Sequence, residues 1–233
     1  MRSFTFGTNR DGVPILSKAQ MDSIGEAIVC DSFPDAMRQP QAIDMDRFLT
    51  NYLGMTLDYQ FLSHCGLYLG MTVFRDTDCL PVYNAEKNEA EYISVKANTV
   101  IIDNTLLDDA NEHRYLFTCA HEGAHRILHS GYFTRLADKQ ETAKKVPPMV
   151  LCRVDRARVN YHGDADRPDL KWIEWQANYL ASAILMPKSM VTKVVRHAER
   201  VRRSVNAGLE DVISVFNVSN DAAYYRMKDL QLI

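Results

Sequence analysis

The 233-residue sequence has no CxxC pair, no long uninterrupted apolar run and no large excess of either charge. Its five cysteines, Cys30, Cys65, Cys79, Cys119 and Cys152, are odd in number and widely scattered. That pattern argues against both a disulfide framework and a thiolate zinc site. No segment approaches the roughly 18 consecutive apolar residues that a membrane span needs. The opening stretch MRSFTFGTNRDGVPIL meets Asn9, Arg10, Asp11 and Pro14 too soon for a secretory signal. A formal net charge of −3 and a pI near 6.2 remove any global electrostatic reason to expect nucleic acid or an anionic membrane as the main partner. Internal repeats and low-complexity tracts are also missing. These absences lead to the expectation of a cytoplasmic protein with no membrane partner.

What is present is a chain long enough for one substantial core, with 46% hydrophobic residues. Residues 17–30 place Met21, Ile24, Ala27 and Ile28 at helical spacing behind Ser17, a good cap. Residues 44–53 repeat the pattern with Met45, Phe48, Leu49 and Leu53 before Gly54. From Leu67 the rhythm changes to short β-prone runs, LYLGMTVF, LPVYN, EYISV and NTVIIDN, separated by polar turns, which predicts a small antiparallel meander. A helix is expected from about Asn111 through Ser130, with Gly131 placed to stop it. Residues 131–169 form a long connection expected to hold some structure of its own. The segment LKWIEWQANYLASAILMP then gives a helix closed by Pro187, followed by a basic helix near 188–204 and two short helices around Asn217-Val218-Ser219. The fold class expected is α+β and mainly helical, with a core over residues 1–187 and a helical region over 188–233 packed on it.

Within the central helix stands His121-Glu122-Gly123-Ala124-His125, an HExxH pattern. Side chains at i and i+4 share a helix face about 6 Å apart, so two neutral imidazoles can approach one zinc ion while the glutamate sits beside the water that the metal acidifies. Glu122 can then serve as general base and pass the proton to a leaving amine. Chance gives this pattern about once in a hundred such chains, so the amphipathic helical context matters. A third histidine, His129, lies eight residues from His121, about 12 Å along a straight helix, too far to share the ion. It can orient a neighbouring ligand, contact substrate, or simply face the helix dipole.

Catalytic zinc needs a third protein ligand. On the later helix Glu174, Asn178 and Ala181 share one side at i, i+4 and i+7, placing a carboxylate and an amide on an otherwise apolar element. A carboxylate there needs a partner. The zinc of His121 and His125 would be one; an arginine salt bridge or a partly solvated rim position fits the spacing equally well.

The two segments together resemble the ImmA/IrrE family of zinc metallopeptidases, marked by an HExxHxxxH helix and a later ExxANxxAxxLLMP helix. Here they read HEGAHRILH at 121–129 and EWQANYLASAILMP at 174–187. The resemblance implies a zincin-like metallopeptidase fold with a small antiparallel sheet before the HExxH helix. It implies Zn2+ as cofactor, His121, His125 and Glu174 as ligands, Glu122 as base, and supporting positions at His129 and Asn178. It departs from the family at Gln176, where a second glutamate is frequent, at Leu180, and in a long gap between His129 and Glu174. Members cleave helix-turn-helix transcriptional repressors, so the resemblance also implies a protein substrate of that kind. No helix-turn-helix fused at the N-terminus is evident, so that repressor is expected to be a separate protein.

Other features carry less. Glu210 to Leu230 could be read as a helix-turn-helix, but Asp221, Arg226, Lys228 and Asp229 leave its second helix without net positive charge, which disfavours direct nucleic-acid binding. Lys188, Lys193, Arg196, Arg200, Arg202 and Arg203 read as a solvated helix face. An oxyanion donor besides the metal is expected among Tyr132, Tyr161, His162 and Asn178. Cys119 should face away from the metal, into the core. Two function classes follow: a zinc endopeptidase, or a non-catalytic module that keeps the metal for structure and acts through protein or DNA contacts. An intact Glu122 favours the first, because a structural site needs no base.

Overall fold

The computed structural model describes residues 2–140, 149–153, 168–202 and 205–233. Its first helix, α1 (Lys18–Ser32), starts at a reciprocal capping box: Ser17 accepts from the Gln20 backbone while the Gln20 side chain accepts from the Ser17 backbone at 2.9 Å. A short α2 (Pro34–Arg38) begins with proline at its first position, where no N–H is needed. Asp44 caps α3 (Met45–Arg47), which runs on into a π-helical turn at Phe48–Tyr52. Phe48 and Leu49 of that turn are fully buried.

Six strands follow in part from the expected runs: β1 (Thr56–Gln60), β2 (Tyr68–Val73), β3 (Thr77–Asn84), β4 (Glu89–Val95), β5 (Thr99–Asp103) and β6 (Met149–Arg153). They do not make the antiparallel meander expected before the HExxH helix. The main sheet is mixed, in the order β1-β5-β2-β6, with β1 parallel to β5 and β2 antiparallel to both of its neighbours. Its fourth strand comes after the HExxH helix, and β3 and β4 form a separate two-stranded sheet. The meander reading assumed that successive strands are neighbours. Here the β3–β4 hairpin projects from between β2 and β5, which frees β5 to slot between β1 and β2.

Alternation along β2 and β5 explains the layering. Met71, Val73 and Ile101 point to one face, where they join Leu80, Val82 and Val95 of the hairpin in a small core. Val100 and Ile102 point to the other face and join the main core of helices. On that face lies α4 (Glu112–Leu128), with α5 (Ser130–Gln140) beyond it, and α6 (Pro168–Leu185) packed along α4. Gly131 does not stop α4. The break falls two residues earlier, at His129 (φ −117°, ψ 1°), and Gly131 sits inside α5 without a positive φ. A C-terminal glycine signal needs the left-handed conformation; the Ser130 hydroxyl, bonded to the Arg126 carbonyl, lets the chain re-enter a helix instead.

Three helices complete the described chain: α7 (Lys188–Arg202), α8 (Val205–Phe216) and α9 (Asn220–Asp229), with Ser219 capping the last. Of the two cations on the α8–α9 pair, Lys228 is exposed and Arg226 is not. Arg226 is 1% exposed, its guanidinium bonded to Asp22 of α1 at 2.7 Å and to the Met186 carbonyl at 3.0 Å, and stacked over Tyr179 of α6. Tyr179 also donates to Asp22 at 3.2 Å. This buried cluster ties α1, α6 and α9 together. Cys119 is fully buried in the main core, where loss of hydration pushes its thiol pKa up, while Cys30, Cys65 and Cys79 are exposed. No helix among the described residues is long and apolar enough to cross a membrane.

Truncating Arg226 to alanine strands the Asp22 carboxylate in the interior, so Arg226→Ala is expected to lower unfolding free energy by about 3–5 kcal/mol in urea denaturation. A loss below about 1 kcal/mol would show that the pair does not anchor α9.

Candidate metal centre

Helix α4 is pressed against the sheet by small residues at the contacts. A Cβ on Gly70 of β2 would lie 2.6 Å from the Thr118 methyl and 3.0 Å from the Glu122 side chain. On the opposite side of the helix a Cβ on Gly123 would come 2.7 Å from Phe48 of the π turn. The helix is thus clamped between strand and turn with no room for a side chain at either contact. From His121 through His125 every residue is buried.

That placement settles what surrounds Glu122. Thr72, two residues beyond Gly70 and on the same strand face, donates its hydroxyl to Glu122 Oε2 at 2.6 Å. The other carboxylate oxygen, Oε1, is buried and has no hydrogen-bond partner among the described residues. Burial pushes the Glu122 carboxyl well above the usual carboxylate range; the Thr72 hydrogen bond pulls it down, and the nearby charge of Glu174 pushes it up. An isolated carboxyl oxygen held in a dry site is costly unless a proton, a water or a cation meets it there.

His121 and His125 turn their Nε2 atoms toward each other, 2.9 Å apart. Glu174 of α6 reaches both, with Oε2 3.6 Å from His121 Nε2 and Oε1 3.4 Å from His125 Nε2. The three residues form a group that could hold a metal ion, their ligand atoms all lying within 4.8 Å of one another. Among the described residues the Glu174 carboxylate thus meets the two histidines. Ligands at the Zn–N distance of about 2.0–2.1 Å in a tetrahedron stand on the order of 3 Å apart, so the spacing suits a small cation.

The outer contacts are equally specific. Asn178, one turn after Glu174, places Oδ1 2.8 Å from His121 Nδ1. His129 lies outside the ligand group, as helix rise requires, and its Nδ1 is 3.0 Å from His125 Nδ1. Its Nε2 meets Gln176 Oε1 at 3.0 Å, and Gln176 Nε2 donates to the Pro14 carbonyl at 2.7 Å. Burial, with His125 adding to it, pushes His129 down to about 3, so its ring is neutral at ordinary pH; the Gln176 hydrogen bond and Glu174 act in the opposite sense.

Sequence reasoning missed four participants. Thr72 and Gly70 left a trace in LYLGMTVF, where two small residues alternate onto one strand face, a mark of close approach by another element. Gln176 stood out only as a departure from a motif, and Pro14 carried no signal. Of the proposed oxyanion donors, Tyr132 is buried and Asn178 is engaged with His121, while Tyr161 and His162 lie outside the described residues. The sequence matches no family model and no curated protein.

Gly70→Ala is expected to force α4 off the sheet and cost about 1–3 kcal/mol in chemical denaturation, the usual penalty of overpacking. Thr72→Val should keep the fold and remove the hydroxyl that holds Glu122. Its folded state should therefore differ from the parent at the Glu122 carboxyl, visible as a changed carboxyl signal by 13C NMR. An unchanged signal would remove Thr72 from the site.

Proposed function

We propose that the chain is a zinc-dependent endopeptidase of the ImmA/IrrE type and that His121, His125 and Glu174 hold the metal. The observation that carries this reading is the pairing of a three-residue ligand group with a buried carboxylate, Glu122, one of whose oxygens is braced by Thr72 while the other has no hydrogen-bond partner among the described residues. A site that held metal only for structure would have no use for a desolvated base beside it. Two segments far apart in sequence, HEGAHRILH and EWQANYLASAILMP, supply the site from adjacent helices, which is the arrangement their resemblance to that family implies.

Zinc bound by these residues would supply Lewis acidity, polarising a peptide carbonyl and lowering the pKa of a water toward neutrality. The remaining steps belong to the chain. Glu122 Oε1 takes the proton of the attacking water, since Oε2 is already occupied by Thr72. The raised proton affinity that burial gives this carboxyl suits it to hold that proton until the peptide nitrogen leaves as an amine. Asn178 and His129 keep the two imidazoles aimed inward throughout. The protein substrate is a helix-turn-helix transcriptional repressor on the strength of the family resemblance, and the buried Arg226 leaves the chain's own α8–α9 pair poorly equipped to read DNA itself.

Protein purified without chelator should contain one zinc per chain by elemental analysis, and His121→Ala or Glu174→Ala should lose it. Glu122→Gln should keep the zinc and lose at least about a hundredfold in cleavage of a co-purified candidate repressor, read by mass spectrometry of the products. Wild-type cleavage by Glu122→Gln would refute the base, and absence of zinc from the parent would refute the whole reading.

A further inference from the structure

Building on the metal-peptidase reading, we infer that Gln176 is a positioning residue: through His129 it locks the tautomer of His125, so that His125 Nε2 is a preformed metal acceptor before any ion arrives.

The direction of every hydrogen bond follows from one group that has no proton. A backbone carbonyl can only accept, so at the 2.7 Å contact with the Pro14 carbonyl the Gln176 amide nitrogen must be the donor. That choice fixes which way the amide faces, and its oxygen, also acceptor-only, is turned to His129 Nε2 at 3.0 Å. His129 Nε2 therefore carries the ring proton. The His129 ring is fully buried, where an imidazolium would be a desolvated cation, so it carries one N–H and its Nδ1 is an acceptor. Across the 3.0 Å contact His125 Nδ1 must then donate. The proton of His125 is thereby committed to the outer side of its ring, and the lone pair is on Nε2, the atom that faces His121 Nε2 and Glu174. Asn178 Oδ1 at His121 Nδ1 gives the first histidine the same sense.

This chain of four hydrogen-bonding groups also explains why glutamine suits position 176. Leucine would supply neither contact. Protonated glutamate preserves the sense of the relay, its O–H donating to the Pro14 carbonyl and its other oxygen accepting from His129 Nε2. Outer partners of this kind typically alter metal affinity by about 10–100-fold when removed. The relay further links the N-terminal loop at Pro14 to the metal ligands, a connection that passes through no catalytic group.

The test uses the full chain, metal-free and then titrated with Zn2+ or Co2+. Long-range 15N–1H correlation spectra of the metal-free parent should show His129 as the Nε2–H tautomer and His125 as the Nδ1–H tautomer. In Gln176→Leu both rings should become tautomer mixtures, and Zn2+ affinity in chelator competition should fall about 10–100-fold. Gln176→Glu should recover the parent tautomers and most of the affinity. A merely structural glutamine would change stability without changing tautomers. The inference is overturned if His129 in the parent carries its proton on Nδ1, or if Gln176→Leu leaves tautomers and affinity as they were. Should Gln176→Leu fail to fold, the parent spectrum alone decides. Correct tautomers in a parent that binds no Zn2+ would uphold the lock and sink the peptidase reading instead.

Discussion

The contact on which the rest of the site depends is the close approach of α4 to β2. It brings a backbone-lined strand face, Gly70 and Thr72, against Glu122, and it is possible only because Gly70 has no side chain. With the helix held there, Gly123 fits against Phe48 on the far side, and the two histidines are left facing α6. A larger residue at the strand contact would press on Thr118 and on the Glu122 side chain. The site is therefore a consequence of packing density as much as of the residues that give it chemistry.

Electrostatics then divides the buried polar groups into two kinds. Arg226 and Asp22 form an ion pair that joins three helices, its opposite charges meeting each other although the guanidinium Nη2 has no hydrogen bond among the described residues. Glu122 instead has a neutral hydroxyl on one oxygen and no hydrogen bond on the other among the described residues. Buried groups of the first kind hold a fold in register; an oxygen of the second kind stores a demand that a proton, water or ion can meet. Histidine shows the same division: His129 is neutralised and consumed in a relay, while His121 and His125 are aimed at a common point.

Much of the fold was legible in the sequence because it is local. The Ser17 cap, the helix ending before Pro187 and the Ser219 cap before the last helix are written in short-range residue choices, and they stand where expected. The sheet was not legible in the same way. TLDYQ is only five residues long, and its parallel pairing with TVIID spans an inserted hairpin, a relation that no local pattern records. The end of α4 was misplaced for a related reason: Gly131 looks like a stop in one dimension, whereas the break at His129 coincides with a ring held by Gln176 from another helix.

By itself the sequence determined the HExxH pair, the impossibility of His129 joining His121 on one ion, and the candidacy of Glu174, since helix rise and side-chain periodicity are properties of a single element. It left Glu174 balanced between a metal and an arginine. Only the tertiary structure decided that its carboxylate meets the two histidines, that Thr72 holds the base, and that Pro14 sets the polarity of a relay ending at His125. Those are contacts between residues 49 to 162 positions apart, and they exist because close packing, rather than local propensity, selects which faces meet.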